Sequence, residues 1–100
     1  VVVLAPGGIL AEVYGDSAIR AAPIDRAQAF EMIADVKGLA PLRGYRNLPK
    51  GDVEALADAL VAISGFALVA QPPAEAEINP LIVRGEGEGV VAVDGLVVYT

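Results

Sequence analysis

The sequence predicts an α+β fold, in which a mostly antiparallel sheet carries two helices packed on one face. Short β-branched and apolar runs lie near both ends of the chain, and two segments with helical periodicity lie together in the middle. Because the helices are grouped instead of alternating with strands, a layer of sheet against a layer of helices is expected. The 100 residues correspond to a single domain.

The first part of the chain predicts three short strands. The β-branched run 1–4 is ended by Pro6 and the Gly7-Gly8 pair. Segments 9–14 and 17–22 flank Gly15-Asp16, a two-residue sequence typical of a hairpin turn. Since a strand and not a helix follows Gly7-Gly8, we interpret this pair as a bend of the chain.

The first helix is predicted from Arg26 to about Lys37. Asp25 and Gln28 have the spacing of a capping box, in which each side chain bonds the backbone N–H of the other residue. Gly38 is a typical stop signal. The apolar side of this helix consists of Ala29, Phe30, Met32, Ile33 and Val36.

The second helix is predicted to begin after Asp52, which again provides a cap. Gly65 costs about 1 kcal/mol relative to Ala inside a helix, so this helix is expected to end early or to bend there. Its apolar stripe has steps of three and four and consists of Val53, Leu56, Leu60, Ile63 and Ala67.

The segment 41–51 between the helices is polar and carries Arg43, Arg46 and Lys50. A solvated loop is the simpler interpretation. An anion such as a phosphate or coenzyme A is the alternative ligand for these three cations.

The last part of the chain predicts a hairpin, with strands 76–83 and 89–94, and a further strand from Leu96 to Thr100. Alternation places Glu77 and Asn79 on one face. If the turn is symmetric about Glu86 and Gly87, Asn79 lies opposite Asp94, with Cβ atoms about 4.5–5.5 Å apart. These oxygen-bearing side chains suit a hard cation such as Mg²⁺. The alternative is that they are ordinary solvent-facing residues at strand ends.

Composition excludes several function classes. With 55% hydrophobic and 20% charged residues the chain is too apolar for disorder, and a net charge of −6 argues against nucleic acid as a partner. There is no cysteine or histidine, and the longest apolar runs are far shorter than the roughly 20 residues of a membrane span. We therefore expect a cytoplasmic protein without a membrane partner. The start within a strand-like run predicts a fragment of a longer protein.

Several motifs resemble the end of the ATP-grasp domain. Glu77-Ile78-Asn79-Pro80-Leu81, followed by Val93-Asp94, is similar to succinyl-CoA synthetase beta subunits. It is closer to the ADP-forming acetyl-CoA synthetases and their fused acyltransferase relatives. The stretch 7–13, followed by Asp16 and Arg20, also resembles this family. The resemblance covers nearly the whole chain and implies that residues 1–100 are the C-terminal half of an ATP-grasp domain.

The resemblance also implies a site. It assigns Asn79 and Asp94 as Mg²⁺ ligands that serve the nucleotide phosphates and Glu77 as a third ligand, with ATP or ADP as the nucleotide of the complete protein. It assigns Arg20 to the nucleotide triphosphate, while the alternative for Arg20 is a surface residue opposite Glu12.

The resemblance implies that the complete protein is an acid–thiol ligase, an NDP-forming acyl-CoA synthetase. Such enzymes couple an acyl-CoA thioester to nucleotide phosphorylation through a phosphohistidine, which must lie outside this chain. The remaining ATP-grasp part and the CoA-binding domain are then its partners. Two alternatives remain: a degenerate interaction module, and a regulatory ATP-grasp part of a protein acyltransferase. The loop sequence Gly44-Tyr45-Arg46-Asn47 and Pro6 depart from the family pattern.

Overall fold

The computed structural model describes residues 1–7, 13–44 and 46–99. Apart from the helical residues Val13 and Tyr14, the α-helices in these ranges are α1, Arg26–Asp35, and α2, Val53–Ser64. Each is followed by a 3-10 segment, Lys37–Arg43 and Gly65–Leu68. The strands are β1, Val2–Leu4; β2, Ala18–Arg20; β3, Glu75–Ile78; β4, Leu81–Val83; β5, Val90–Ala92; and β6, Gly95–Val98. The predicted α+β class is confirmed. No helix in the described ranges has the length and hydropathy needed to cross a membrane.

Every strand pair in the described part of the chain is antiparallel, as predicted, but the strands form three two-stranded ladders instead of one continuous sheet. β1 pairs with β2, β3 with β6, and β4 with β5. The last two ladders are successive parts of one long hairpin. The predicted single strand 76–83 is therefore wrong in one respect: it is divided at Asn79-Pro80, where proline has no N–H to continue the ladder.

The helices form a layer that contacts the strands from one side. α1 packs on α2 and on β2, while α2 reaches β1, β4 and β5. Met32, Ile33 and Val36 are the largest fully buried side chains, and Leu56 and Leu60 of α2 join them. On the strands, Leu81, Val83 and Val90 are partly buried against this core. The predicted packing of both helices on one face is confirmed.

α1 begins as the sequence predicts. The Asp25 side chain accepts a hydrogen bond from the Gln28 backbone at 2.8 Å, and the Gln28 side chain accepts one from the Asp25 backbone at 3.0 Å. The helix ends at Asp35, before Gly38, because the chain enters the 3-10 segment. The Asp16 carboxylate accepts the backbone N–H groups of Lys37 and Gly38 there, at 2.8 and 2.7 Å.

The hairpin predicted at Gly15-Asp16 is wrong. Val13 and Tyr14 are helical and not extended, and β2 pairs with β1 through Val3 opposite Ile19. The rest of the predicted strand 9–14 lies outside the described residues. Gly7 has a φ of 83°, which confirms the bend at this glycine, and Gly8 lies outside the described residues.

α2 also begins and ends as predicted. The Asp52 carboxylate accepts the Ala55 N–H at 3.0 Å, and α2 passes into a 3-10 turn at Gly65. In the predicted apolar stripe of α2, Leu56 and Leu60 are buried. Ala67, which was also predicted to belong to it, lies beyond the end of the helix and is exposed.

Asp52 connects α2 to the hairpin turn, because its second oxygen accepts the Gly89 N–H at 2.8 Å. The N–H donors of Ala55 and Gly89 hold the pKa of Asp52 below its usual value of 3.8, against the opposing effect of partial burial. Because the folded-state pKa is lowered, this contribution to stability is present above about pH 4 and is lost as the pH falls further.

We therefore expect Asp52→Asn to lower the Tm at pH 7 and to have a smaller effect below about pH 4. Thermal unfolding of both proteins across the acid range, followed by circular dichroism, checks this. A Tm difference that does not change with pH would contradict the expected role of the charge.

Ser64 joins the end of α2 to the segment before α1. It is 2% exposed, and its hydroxyl accepts the Ile24 N–H at 3.1 Å and donates to the Val61 carbonyl at 2.7 Å.

Ser64→Ala leaves the buried Ile24 N–H without an acceptor, so we expect a loss of about 1–3 kcal/mol in the free energy of unfolding. Urea denaturation measures it, with the exposed Ser17→Ala as the control. Equal effects of the two variants would show that this bond is unimportant.

Candidate functional site

The predicted register of the last hairpin is confirmed. Residue pairs in both of its ladders, such as Ile78 with Gly95 and Leu81 with Ala92, place Asn79 opposite Asp94. The Asn79 N–H donates to the Asp94 carbonyl at 3.1 Å. Asn79 and Asp94 therefore lie next to each other at the point where the hairpin changes from one ladder to the next.

Glu77 lies close to this pair. Its Oε1 atom is 3.5 Å from Nδ2 of Asn79, so the two side chains lie on one side of the strand as alternation predicts. All three side chains are exposed. The ion pairs Arg20–Asp35, Arg26–Asp58 and Arg84–Glu88 of the described residues involve neither Glu77 nor Asp94.

The chemistry of this group fits Mg²⁺. It offers two carboxylates and an amide oxygen, which are the hard donors that Mg²⁺ prefers. Oδ1 of Asp94 accepts the Gly95 N–H at 2.9 Å, which orients the carboxylate and leaves its other oxygen available. No cluster of three or more His, Cys, Asp or Glu side chains suited to a metal occurs among the described residues. A cation at this point would therefore need Asn79 and further ligands that are not side chains of these types.

Arg20 lies on β2, which belongs to a different ladder from the one that carries Glu77. Its guanidinium donates to Oδ2 of Asp35 on α1 at 2.8 Å and to the Ile19 carbonyl at 3.0 Å. Its nucleotide-binding role stays a prediction. Glu12, the alternative neighbour, lies outside the described residues.

The segment 41–51, which carries Arg43, Arg46 and Lys50, is only partly a loop. Residues 41–43 form the end of the 3-10 segment Lys37–Arg43. Near the other end, the Glu86 N–H donates to the Lys50 carbonyl at 3.0 Å, which connects the segment to the hairpin turn. Arg43 and Lys50 are exposed, as a solvated segment requires. Anion binding by these residues stays a prediction.

A cleft of about 690 Å³ borders the candidate site. It lies between β1, α2 and the β3–β4 segment, and both Glu77 and Asn79 line it. The sequence did not predict this cleft, because it depends on how β1 and β3 are separated in space. The sequence feature that accompanies such a surface is the high apolar content, 55% of the residues.

The matches to known proteins agree with this geometry. The model of the ATP-grasp domain family matches residues 1–98. An ADP-forming acetate–CoA ligase I of Archaeoglobus fulgidus is 39% identical over 85 residues, which are 85% of this chain and 12% of that protein. Subunit beta of the corresponding Pyrococcus furiosus enzyme is 36% identical over 88 residues, which are 88% of this chain and 37% of that subunit.

A solved structure has the same fold. It is the acetyl-coenzyme A synthetase 1 of Ca. Korarchaeum cryptofilum in complex with coenzyme A and Mg-AMPPCP, with a TM-score of 0.84 and 31% identity. The match covers 94% of this chain and 43% of that one. The present chain thus spans less than half the length of these relatives, and the two sequence relatives described above are ADP-forming acetate–CoA ligases. The chain belongs to the ATP-grasp domain family.

Proposed function

We propose that this chain is the Mg²⁺–nucleotide half-site of an NDP-forming acyl-CoA synthetase. In this proposal Glu77, Asn79 and Asp94 hold the cation against the phosphates of ATP or ADP. The observation that supports it most strongly is the position of Asn79 beside Asp94, with Glu77 next to Asn79. When bound, Mg²⁺ would neutralise charge on the nucleotide phosphates and orient them.

The surroundings of the three residues support the same proposal. They are exposed, and two of them border the cleft, so a nucleotide can reach them without opening the core. The similar archaeal synthetase was crystallised with Mg-AMPPCP. A degenerate copy without nucleotide chemistry would have no physical need to keep Glu77, Asn79 and Asp94 together.

The remaining parts of the reaction would be supplied from outside this chain. The 100 residues contain no histidine, so a phosphohistidine must come from another part of the protein. We accordingly expect no CoA-dependent ATP formation by the 100-residue chain alone. Its partners would be the rest of the ATP-grasp domain and a CoA-binding domain, in a cytoplasmic enzyme.

Nucleotide binding by a completed cleft tests this proposal. In a chimera, residues 1–98 replace the matching segment of the Pyrococcus furiosus beta subunit, and calorimetry measures AMPPCP binding with and without Mg²⁺. We expect Mg²⁺ to strengthen binding by about tenfold or more, and Asp94→Asn to remove most of this gain.

Glu75→Gln is the matched control, because Glu75 is an exposed carboxylate on the same strand, two residues before Glu77. This variant should retain the effect of Mg²⁺. Equal losses in Glu75→Gln and Asp94→Asn would indicate a general effect of negative charge and would contradict the assigned site.

A further inference from the structure

Two cations lie on the outer side of the 3-10 segment Lys37–Arg43. A 3-10 helix has three residues per turn, so side chains at positions i and i+3 lie on the same side. The inner side of the segment carries Leu39 and Leu42, which are partly buried against the core. Lys37 and Arg43, two turns apart, are exposed on another side.

Lys50 extends this row of cations. Its side chain lies over Gly44, because a β-carbon added to Gly44 would be 3.2 Å from Cγ of Lys50. The Gly51 N–H donates to the Leu42 carbonyl at 2.8 Å and brings the two parts of the chain together. Lys50 is therefore placed beside Arg43, and both line one cleft at the start of α2.

The surface formed by Lys37, Arg43 and Lys50, here named the cationic ridge, is fixed at both ends. The Asp16 carboxylate accepts the backbone N–H of Lys37 at 2.8 Å, and the Glu86 N–H donates to the Lys50 carbonyl at 3.0 Å. These bonds hold the backbone of the ridge and do not use its side-chain charges. A surface that is ordered in advance loses less entropy when a partner binds.

The ridge concentrates positive charge on a chain that is negative overall. The net charge is −6, and there are seven Lys and Arg residues. The ion pairs of the described residues use Arg20, Arg26 and Arg84 as their cations. The neighbouring charges of Arg43 and Lys50 repel each other. An acidic partner would offset this repulsion.

The spacing of the ridge favours an extended partner. At a rise of about 2.0 Å per residue, Lys37 and Arg43 are about 12 Å apart along the segment. A phosphate group binds donors that lie within about 3 Å of its oxygens, so it needs cations that converge on one point. Glu54 and Glu86 also line the cleft beside Arg43, which opposes a small anion there. Cations in a row match a segment that carries several carboxylates.

The ridge is separate from the candidate metal site. Its Lys50 end is bonded to the turn of the last hairpin, which follows Arg84. Arg84 and Asn79 are five residues apart, or about 17 Å along a strand. A segment bound to the ridge would therefore leave the site at Asn79 open to the nucleotide.

We propose that the cationic ridge is the docking surface for an extended acidic segment of the complete protein, outside this chain. The proposal rests on the proposed function, in which this chain is one part of a larger enzyme. The chain covers 12% of the Archaeoglobus fulgidus ligase and 37% of the Pyrococcus furiosus subunit, so most of such a protein has to be positioned against it. Two copies of this chain do not pair ridge to ridge, because like charges would meet.

Zero-length cross-linking of the complete protein tests this docking. A carbodiimide joins a lysine amine to a carboxylate that it contacts, and mass spectrometry identifies both residues. We expect Lys37 and Lys50 to be linked to Asp or Glu side chains of one segment outside residues 1–100. Links only to carboxylates within residues 1–100, in the same or a second copy, or no links from either lysine, would overturn the proposal.

Neutralising the ridge provides a second readout. In the complete protein, the triple variant Lys37→Gln, Arg43→Gln and Lys50→Gln should lower the Tm by about 2–4 °C at low salt. This difference should disappear at about 1 M NaCl, where charges are screened. In the 100-residue chain the same variant should not lower the Tm, because it removes a repulsion. Equal losses in the two proteins would contradict docking.

Arg84→Gln is the control, because Arg84 is an exposed cation outside the ridge. It should change the Tm equally in the complete protein and in the 100-residue chain. The metal proposal is tested separately: Asp94→Asn should leave the cross-links unchanged, and the triple variant should retain the effect of Mg²⁺ on nucleotide binding. Loss of the cross-links in Asp94→Asn would contradict a docking surface that is independent of the metal site.

Discussion

Leu60→Ala is expected to lower the free energy of unfolding by about 2–5 kcal/mol. Leu60 is 6% exposed and lies on the face of α2 that carries Leu56. Removing its isobutyl group takes apolar surface from the core and leaves a cavity between the two helices and the strands. Urea denaturation of the 100-residue chain gives the value directly.

Leu68→Ala is the matched control for this measurement. Leu68 is the same residue type in the 3-10 segment after α2, but it is 72% exposed. Its loss should cost less than about 0.5 kcal/mol, as is usual for surface positions. Similar values for the two variants would show that the buried face of α2 has been assigned wrongly.

Asp94→Asn is expected to have the largest effect on activity in the complete protein. The substitution keeps an oxygen beside Asn79 but removes a negative charge from the proposed cation site. We expect the Mg²⁺ concentration needed for half-maximal activity to rise by about tenfold or more, with slower phosphoryl transfer. Initial rates of nucleotide-dependent acyl-CoA formation over a series of Mg²⁺ concentrations measure this.

The fold should tolerate this substitution. Asp94 is exposed, and the only hydrogen bond of its side chain in the described residues goes to the adjacent Gly95 N–H. The Tm of Asp94→Asn should thus stay close to that of the wild type, and Glu75→Gln should retain the normal Mg²⁺ requirement. An unchanged Mg²⁺ requirement in Asp94→Asn would contradict the proposed role of Asp94.

The features predicted correctly from the sequence are those that depend on neighbouring residues. The capping box of Asp25 and Gln28 and the end of α2 at Gly65 require only local backbone and side-chain chemistry. The position of Asn79 opposite Asp94 follows from counting across one turn, since the two strands are joined by a short connection.

The features predicted wrongly depend on contacts that are distant in sequence. Gly15-Asp16 has the composition of a hairpin turn, but Asp16 instead binds the backbone of Lys37 and Gly38, more than 20 residues away. β2 pairs with β1 and not with the segment before the turn. No local sequence pattern distinguishes an aspartate that forms a hairpin turn with the preceding glycine from one that accepts backbone N–H groups of a distant segment.

The candidate site was predicted as a set of residues, and its surroundings were not. The sequence predicts one strand over 76–83, whereas Pro80 divides it into β3 and β4. The pairing of Arg20 with Asp35 is a contact between a strand and a helix, which the periodicity of either segment does not reveal. The cleft beside Asn79 likewise arises from the distance between two ladders.

Anomalous diffraction from Mn²⁺ tests the central proposal most directly. The chimera is crystallised with AMPPCP and Mn²⁺, which replaces Mg²⁺ in such oxygen sites. The proposal predicts a manganese peak between the nucleotide phosphates and the side-chain oxygens of Asn79 and Asp94, at about 2.0–2.2 Å from them, with Glu77 as the third side chain. Bound nucleotide with the manganese peak elsewhere, away from these three side chains, would contradict it.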